Sequence, residues 1–425
     1  MTLLIKNGRV IDPASGTDET LDILIDKRKI AVIKPKIEIE AKKIIDASRL
    51  VVAPGFIDMH THLRDPGQEN KETIHSGSLA AAKGGFTSIA CMPNTLPVND
   101  NRGVTEYIIS EAKKSAVVNI FPIAAVSKDQ KGKELTDMAD LVDAGAVAFS
   151  DDGLPVKQSH IMRRALEYSK LLNTLIIDHC EDKSLTQDGV MHEGYYSYLF
   201  GLSGMPASSE EIIVARDLIL AEKADARIHI AHLSVKGAID YIREAKKKKV
   251  KVTTEVTPHH LLLTDSSLES YDTNLKVNPP LRSKDDVEAL VKAIKDGIID
   301  VIVTDHAPHT LDEKNVELDN APFGINGLET AVSLILDKLV YKNIIPLQKF
   351  IEMISTTPAI ILGLENKGKI KVGVEADLTI LNLHKETVVD IEKFKSKSQN
   401  NPFHGWKLIG APVMTIVGGK IVYSE

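Results

Sequence analysis

From Phe56 onward the chain alternates short apolar runs with stretches of helical periodicity, and this rhythm limits its fold more than any other feature. Eight runs have strand character: Phe56–His62, Thr87–Met92, Asn119–Val126, Ala146–Asp151, Leu175–His179, Arg227–His232, Lys251–Val256 and Asp300–Thr304. Helical stretches lie between them at Glu72–Lys83, Asn101–Lys114, Ile161–Leu171, Ser209–Glu222, Val235–Lys248 and Lys284–Lys295. Strands separated by helices pair in parallel, because the helix returns the chain to the end of the sheet from which it left. Eight such units make a closed (β/α)8 barrel of TIM type the parsimonious form. An open doubly wound sheet is the alternative, but no strand is followed by Gly-x-Gly-x-x-Gly. Gly84-Gly85 precedes a strand and lacks a Gly-Lys-Ser/Thr ending, so it reads as a helix stop and not a phosphate loop.

Both ends of the chain have a different texture. Residues 1–52 read as short strands at Leu3–Ile5, Arg9–Ile11, Leu21–Ile25, Ala31–Ile33 and Lys43–Ile45, with turns at Asn7-Gly8 and Ser15-Gly16. Helical periodicity runs from Gly327 to about Leu364, and strands return at Lys369–Val372, Asp377–Leu381, Val413–Val417 and Lys420–Tyr423. Neither end has enough strands to close on itself. The expected architecture is therefore α/β: a barrel over 53–365 and one small β-sandwich domain built from 1–52 plus 366–425.

Composition excludes several function classes. The net charge is -7 and aromatic content is 4%, so neither a nucleic-acid surface nor base stacking is indicated. The one dense basic run, Lys246 to Lys249, sits where a helix should end, a position that suits cations. Cys91 and Cys180 are too few for a disulfide framework or a thiolate zinc site. The N-terminal segment reads as a strand and not a signal sequence, and no apolar run reaches the roughly 18 residues of a membrane span. The expectation is a cytoplasmic protein acting on a small molecule.

Chemistry gathers where the strands end. His60 and His62 follow the first strand, Asp151-Asp152 the fourth, His179 the fifth, His232 the sixth and Asp305 the eighth. In a (β/α)8 barrel these ends share one face, where active sites sit. One His-x-His could be a polar pair where a strand meets solvent. Ligand-type residues at five strand ends read instead as a nitrogen and oxygen set suited to zinc or a similar divalent ion. Six ligands exceed the usual need of one zinc, so two ions bridged by a carboxylate fit the set. Arg64, two residues past His62, faces the same way and could hold an anion beside the metal. No Ser/His/Asp arrangement competes for the role.

With these motifs the chain resembles the amidohydrolases, and within them the class I dihydroorotases over essentially its whole length. The likeness is carried by Asp58-Met-His-Thr-His-Leu-Arg-Asp-Pro-Gly67, Cys91-Met-Pro-Asn94, Phe149-Ser-Asp-Asp-Gly153, Asp178-His-Cys-Glu181 and Ala231-His-Leu-Ser234. It continues through Lys276-Val-Asn-Pro-Pro-Leu-Arg282, Thr304-Asp-His-Ala-Pro-His309 and Ala321-Pro-Phe-Gly-Ile-Asn-Gly-Leu-Glu329. The resemblance implies that His60, His62 and Asp305 bind one metal ion, His179 and His232 the other, and Asp152, in preference to Asp151, bridges them. It makes Arg64, Asn94 and His309 binders of a substrate carboxylate, and Asn278 and the Phe323-Gly324 backbone contacts to its ring. Asp305 would carry the proton in a reversible interconversion of N-carbamoyl-L-aspartate and dihydroorotate. Thr61, where an apolar residue is more usual, is a small departure that faces away from the site.

Two alternatives remain. One is an allantoinase- or dihydropyrimidinase-like cyclic amidase, against which stand Arg64 and the absence of a bridging Lys in the fourth strand. The other is a silent dihydroorotase-like scaffold for aspartate transcarbamoylase, against which stands the complete ligand set. The resemblance also allows a homodimer and association of an active enzyme with aspartate transcarbamoylase. Polar Thr310–Asn320 reads as either a mobile lid or an ordered loop.

Overall fold

The computed structural model describes residues 2–425. Eight parallel strands follow one another in space in chain order: Phe56–Thr61, Phe86–Cys91, Asn119–Ala124, Ala148–Phe149, Ile176–Asp178, Ile228–Ile230, Val252–Val256 and Val301–Ile302. The seam between first and last is closed by Thr61 bridging to His306 and by the His62 N–H donating to the His306 carbonyl at 2.8 Å. The Thr304 N–H and hydroxyl donate to Asp58 across the same seam.

The strands are largely buried on both faces because helices cover the outside and side chains fill the inside. Met59, Ala90, Ile123, Ala148, Ile177 and Val301 form the interior core. Ile89, Phe149, Ile176, Ile228, Val256 and Ile302 belong to the core that includes Ile108, Met162, Val214, Ile239 and Leu290 of the surrounding helices. Those helices start where side chains can cap them, as at Thr73, Asn101 and Ser283. The first of them, Ile74–Lys83, ends at Gly84-Gly85 as expected; a side chain on Gly84 would hit the Leu328 carbonyl, and Gly85 has φ of 91°. Several strands stop short of their expected ends. His232 and Asp305 adopt left-handed backbone, with φ of 26° and 48°, and this turns the chain out of regular pairing just where the ligand-type residues lie.

Strands from the two chain ends form one eight-stranded mixed sheet around a core of Leu3, Ile5, Ile23, Val52, Ile380 and Ile416. Val51–Pro54 pairs antiparallel with Leu378–Val388 and so joins the N-terminal strands to the C-terminal ones. Three local expectations are corrected. Asn7-Gly8 is no turn but a bulge inside one strand, Thr2–Asp12, with Asn7 at φ 60°. Lys369–Val372 forms no strand; Ile370 is buried in the sheet's core, so its apolar signal marks packing and not pairing. The helical stretch from Gly327 breaks into segments at 331–340 and 347–361, separated by a turn that ends at Pro346.

Candidate metal centre

All six ligand-type residues meet at the barrel mouth, and Asp152 lies at their middle. Its Oδ2 is 3.3 Å from His60 Nε2 and 3.4 Å from His62 Nε2. Its Oδ1 is 3.4 Å from His232 Nε2 and 3.7 Å from His179 Nδ1. Asp305 Oδ1 stands 3.0 Å from His62 Nε2 and 3.4 Å from His60 Nε2. Each oxygen of Asp152 therefore faces a different histidine pair. Asp151 and Asp152 lie just past the strand Ala148–Phe149, and the two neighbouring carboxylates diverge. Asp151 accepts from the Ser127 N–H at 3.0 Å and from the Ser127 hydroxyl, away from the cluster.

Every member is buried, and the charges support one another. Burial disfavours the charged form of His60, yet Asp152, Glu255 and Asp305 outweigh it and hold its pKa well above the usual range. Burial would raise Asp152, but the His60 charge and the close approach of the His179 and His232 rings hold it well below an ordinary carboxylate. His60 Nε2 and Asp152 Oδ1 have no hydrogen-bond partner although fully buried. Unpartnered buried atoms of this kind are costly unless something satisfies them. The ligand atoms of His60, His62 and Asp305 lie within 4.8 Å of one another, as do those of His60, Asp152 and His232, and this nitrogen and oxygen chemistry suits a divalent cation. A third group, Asp178, Cys180 and Asp217, faces the helices instead, and Arg216 already neutralises it at 2.7 Å from Asp217.

The other predicted residues lie around this cluster. Arg64 is buried at φ 61°, with Nη2 3.3 Å from His309 Nε2. Burial lowers its pKa to about 10 against the pull of Asp305 and Glu313, so it keeps its charge. Burial and then the Arg64 charge push His309 down to about 3, so it stays neutral. Asn94 Oδ1 accepts from His62 Nδ1 at 2.8 Å. Asn278 Nδ2 donates to Glu181 Oε2 at 3.0 Å, on the His179 side. The Phe323-Gly324 backbone is largely engaged: the Phe323 carbonyl faces His309 Nε2 at 3.0 Å, and the Gly324 N–H donates to Lys276 at 2.9 Å. Gly324 is there for its shape, since at φ 144° an added Cβ would lie 2.8 Å from Ala307. Thr310–Asn320 contains a helical turn, Leu311–Lys314, and Lys314 Nζ ties it to the carbonyls of Thr273 and Pro322 at 3.0 and 2.7 Å.

Sequence reading missed the residues that hold the histidines from behind. Glu255 lies 2.5 Å from His60 Nδ1 and Glu181 lies 3.1 Å from His179 Nε2. A signal existed for Glu255, the lone charged residue inside a barrel strand that is otherwise all valine and threonine. Glu181 stood within a quoted motif, two residues past His179.

A parallel eight-stranded barrel with a histidine and carboxylate cluster at its mouth defines the amidohydrolases, and residues 341–423 match the amidohydrolase family profile. Residues 48–238 match the dihydro-orotase-like profile. Relatives named dihydroorotase, from Syntrophus aciditrophicus and Geobacter metallireducens, are 51% and 50% identical over the whole of both chains. The chain belongs to the dihydroorotase family. Among solved structures, L-hydantoinase from Arthrobacter aurescens superposes with a TM-score of 0.91 at 26% identity, covering 99% of this chain and 96% of that one. Dihydropyrimidinase from Brevibacillus agri gives 0.88 at 26% identity, covering 100% and 95%. Among the described residues no helix is long and apolar enough to cross a membrane.

Proposed function

We propose that the chain is a zinc-dependent dihydroorotase that interconverts N-carbamoyl-L-aspartate and (S)-dihydroorotate plus water, a step of pyrimidine synthesis in the cytoplasm. Residues 53–365 are its catalytic domain, and 1–52 plus 366–425 its β domain. The observation that carries the reading is Asp152, one oxygen toward His60 and His62 and the other toward His179 and His232. His60, His62 and Asp305 would hold one Zn²⁺ and His179 and His232 the second, with Asp152 shared between them. When bound, the metal polarises the ring carbonyl and lowers the pKa of water beside it.

The chain's own residues do the rest. Arg64, the free amide N–H of Asn94 and neutral His309 receive the substrate carboxylate, which fixes the ring in one orientation. Asn278 and the Phe323 N–H contact the ring. Asp305 takes a proton from the water as its oxygen adds to the ring carbonyl carbon, and delivers that proton to the ring nitrogen as the acyl C–N bond breaks. One carboxylate serves as base and then acid because the two transfers occur in sequence.

The test is dihydroorotate hydrolysis measured with metal content on the same sample, and Arg64→Met compared on dihydroorotate and dihydrouracil, which lacks the carboxylate. Chelation should abolish turnover and Zn²⁺ restore it. Arg64→Met should cost dihydroorotate turnover heavily at unchanged metal content. Equal loss on both substrates would favour the hydantoinase-like alternative, and full activity without metal would end the reading.

A further inference from the structure

Beneath the cluster, the barrel interior carries a polar layer that the proposed chemistry does not use. Alternation in Val252–Val256 sends Val252 and Val256 into the helix-facing core, which leaves Thr253 and Glu255 pointing inward. His229 is turned inward in the same way between outward Ile228 and Ile230. Glu255 is fully buried. Its Oε1 accepts from His60 Nδ1 at 2.5 Å and from the His232 backbone N–H at 3.1 Å. Its Oε2 lies 3.0 Å from His229 Nε2, and His229 Nδ1 lies 2.7 Å from the Thr253 hydroxyl.

A barrel interior is normally filled by branched apolar side chains, and a buried carboxylate there is expensive unless its acceptors are used. This one commits Oε1 to the framework of the cluster and Oε2 to His229 beneath it. His60 belongs to one histidine pair and His232 to the other, so a single oxygen touches both. An imidazole can ligate a metal only through the nitrogen that lacks a proton, and an acceptor at the other nitrogen decides which one that is. His232 also holds a strained left-handed backbone at φ 26°, which persists only where surrounding contacts determine it.

We propose that Glu255 is the positioning residue of the metal centre. Its Oε1 keeps the proton on His60 Nδ1, so that the Nε2 lone pair faces Asp152 and Asp305, and it pins the His232 backbone that carries the second pair's ring. This role rests on the reading of His60 and His232 as ligands and adds what sets their geometry.

The experiment compares Glu255→Asp, which keeps the charge but is too short to reach His60, with Glu255→Gln, which keeps the reach. Gln can leave its oxygen toward His60 and His232 and turn its amide toward His229. Zn²⁺ affinity and stoichiometry of the full chain are measured by competition with a chromophoric chelator, and the thermal midpoint of the same protein is measured after metal is stripped. Glu255→Asp should bind Zn²⁺ about 10–100-fold more weakly, the usual cost of losing a group that orients a ligand. Glu255→Gln should bind within a fewfold of wild type, and the stripped midpoints of the folded proteins should stay close. If Glu255→Asp does not fold, Glu255→Met supplies the same arm without the charge. Wild-type affinity in the short variant, or equal loss in Glu255→Gln, would overturn the proposal. A wild-type chain that binds no Zn²⁺ would instead defeat the ligand reading on which it rests.

Discussion

The two histidine pairs reach the same carboxylate by different routes. His60 and His62 sit two residues apart at the end of one strand, and their ring centres are 5.5 Å apart because the backbone repeat puts them there. His179 and His232 lie 53 residues apart on adjacent strands, yet His179 Nδ1 comes within 2.8 Å of His232 Nε2. That second pair exists only once the fifth and sixth strands have paired. It also uses a different atom, since His179 turns Nδ1 inward and gives Nε2 to Glu181, whereas the other three histidines present Nε2. One pair is written locally, and the other is assembled by the fold.

Asp152 joins the two routes, so its removal should have the largest effect. Asparagine has one oxygen and one NH2 group where aspartate has two oxygens, so Asp152→Asn can serve one pair and not both. Zn²⁺ content should fall from that of wild type by at least one ion per chain, and dihydroorotate turnover should fall to background. Elemental analysis and the hydrolysis assay on one preparation check this. An Asp152→Asn protein with full metal content would break the symmetry drawn between the pairs.

Asp305 touches only the local pair, so its effect should be large in rate but narrower in metal. Asp305→Asn keeps the size and an oxygen but cannot carry a proton. General acid–base transfer is worth about 10²–10⁴-fold, so kcat should fall by at least that much while KM stays close to wild type. The Zn²⁺ held by His179 and His232 should remain. A metal-replete Asp305→Asn protein within a fewfold of wild-type kcat would remove Asp305 from proton transfer.

The same contrast explains what could be seen in the sequence. The eightfold rhythm and the gathering of ligand-type residues at the strand ends were legible because alternation and spacing are local properties of the chain. His60 and His62 needed two residues to be recognised, and Lys284–Lys295 was placed to the residue because Ser283 and Asp286 cap it within one turn. Glu255 was not legible, because nothing near it in sequence records that His60, 195 residues away, would come to rest on it. The bulge at Asn7 was mistaken for a turn because Asn-Gly favours left-handed backbone in either setting. The Met191–His192 and Gly204–Met205 pair, inserted between the fifth and sixth barrel strands, went unseen because strands this short have no period to detect.

If the second pair depends on assembly, it should lean more on its supports than the first. Glu181 is the support to remove. Its Oε2 faces His179 Nε2 at 3.1 Å, accepts from Asn278 Nδ2 at 3.0 Å and lies 2.6 Å from Lys183 Nζ, while Thr186 donates to its other oxygen. Burial would raise its pKa, but His179 and Lys183 outweigh burial and hold it well below an ordinary carboxylate, so it remains charged in the neutral range. Glu181→Ala removes the acceptor behind His179 Nε2 and frees Asn278 as well. The second Zn²⁺ should bind about 10–100-fold more weakly, and KM for dihydroorotate should rise through Asn278. Asn94→Ala makes the matching deletion behind His62, whose position the first strand already sets, so metal affinity should change less there even as KM rises. Stepwise Zn²⁺ titration of the two variants separates these outcomes. Equal losses of metal affinity would mean that both pairs are held by their supports, and that the local spacing of His60 and His62 confers no advantage of its own.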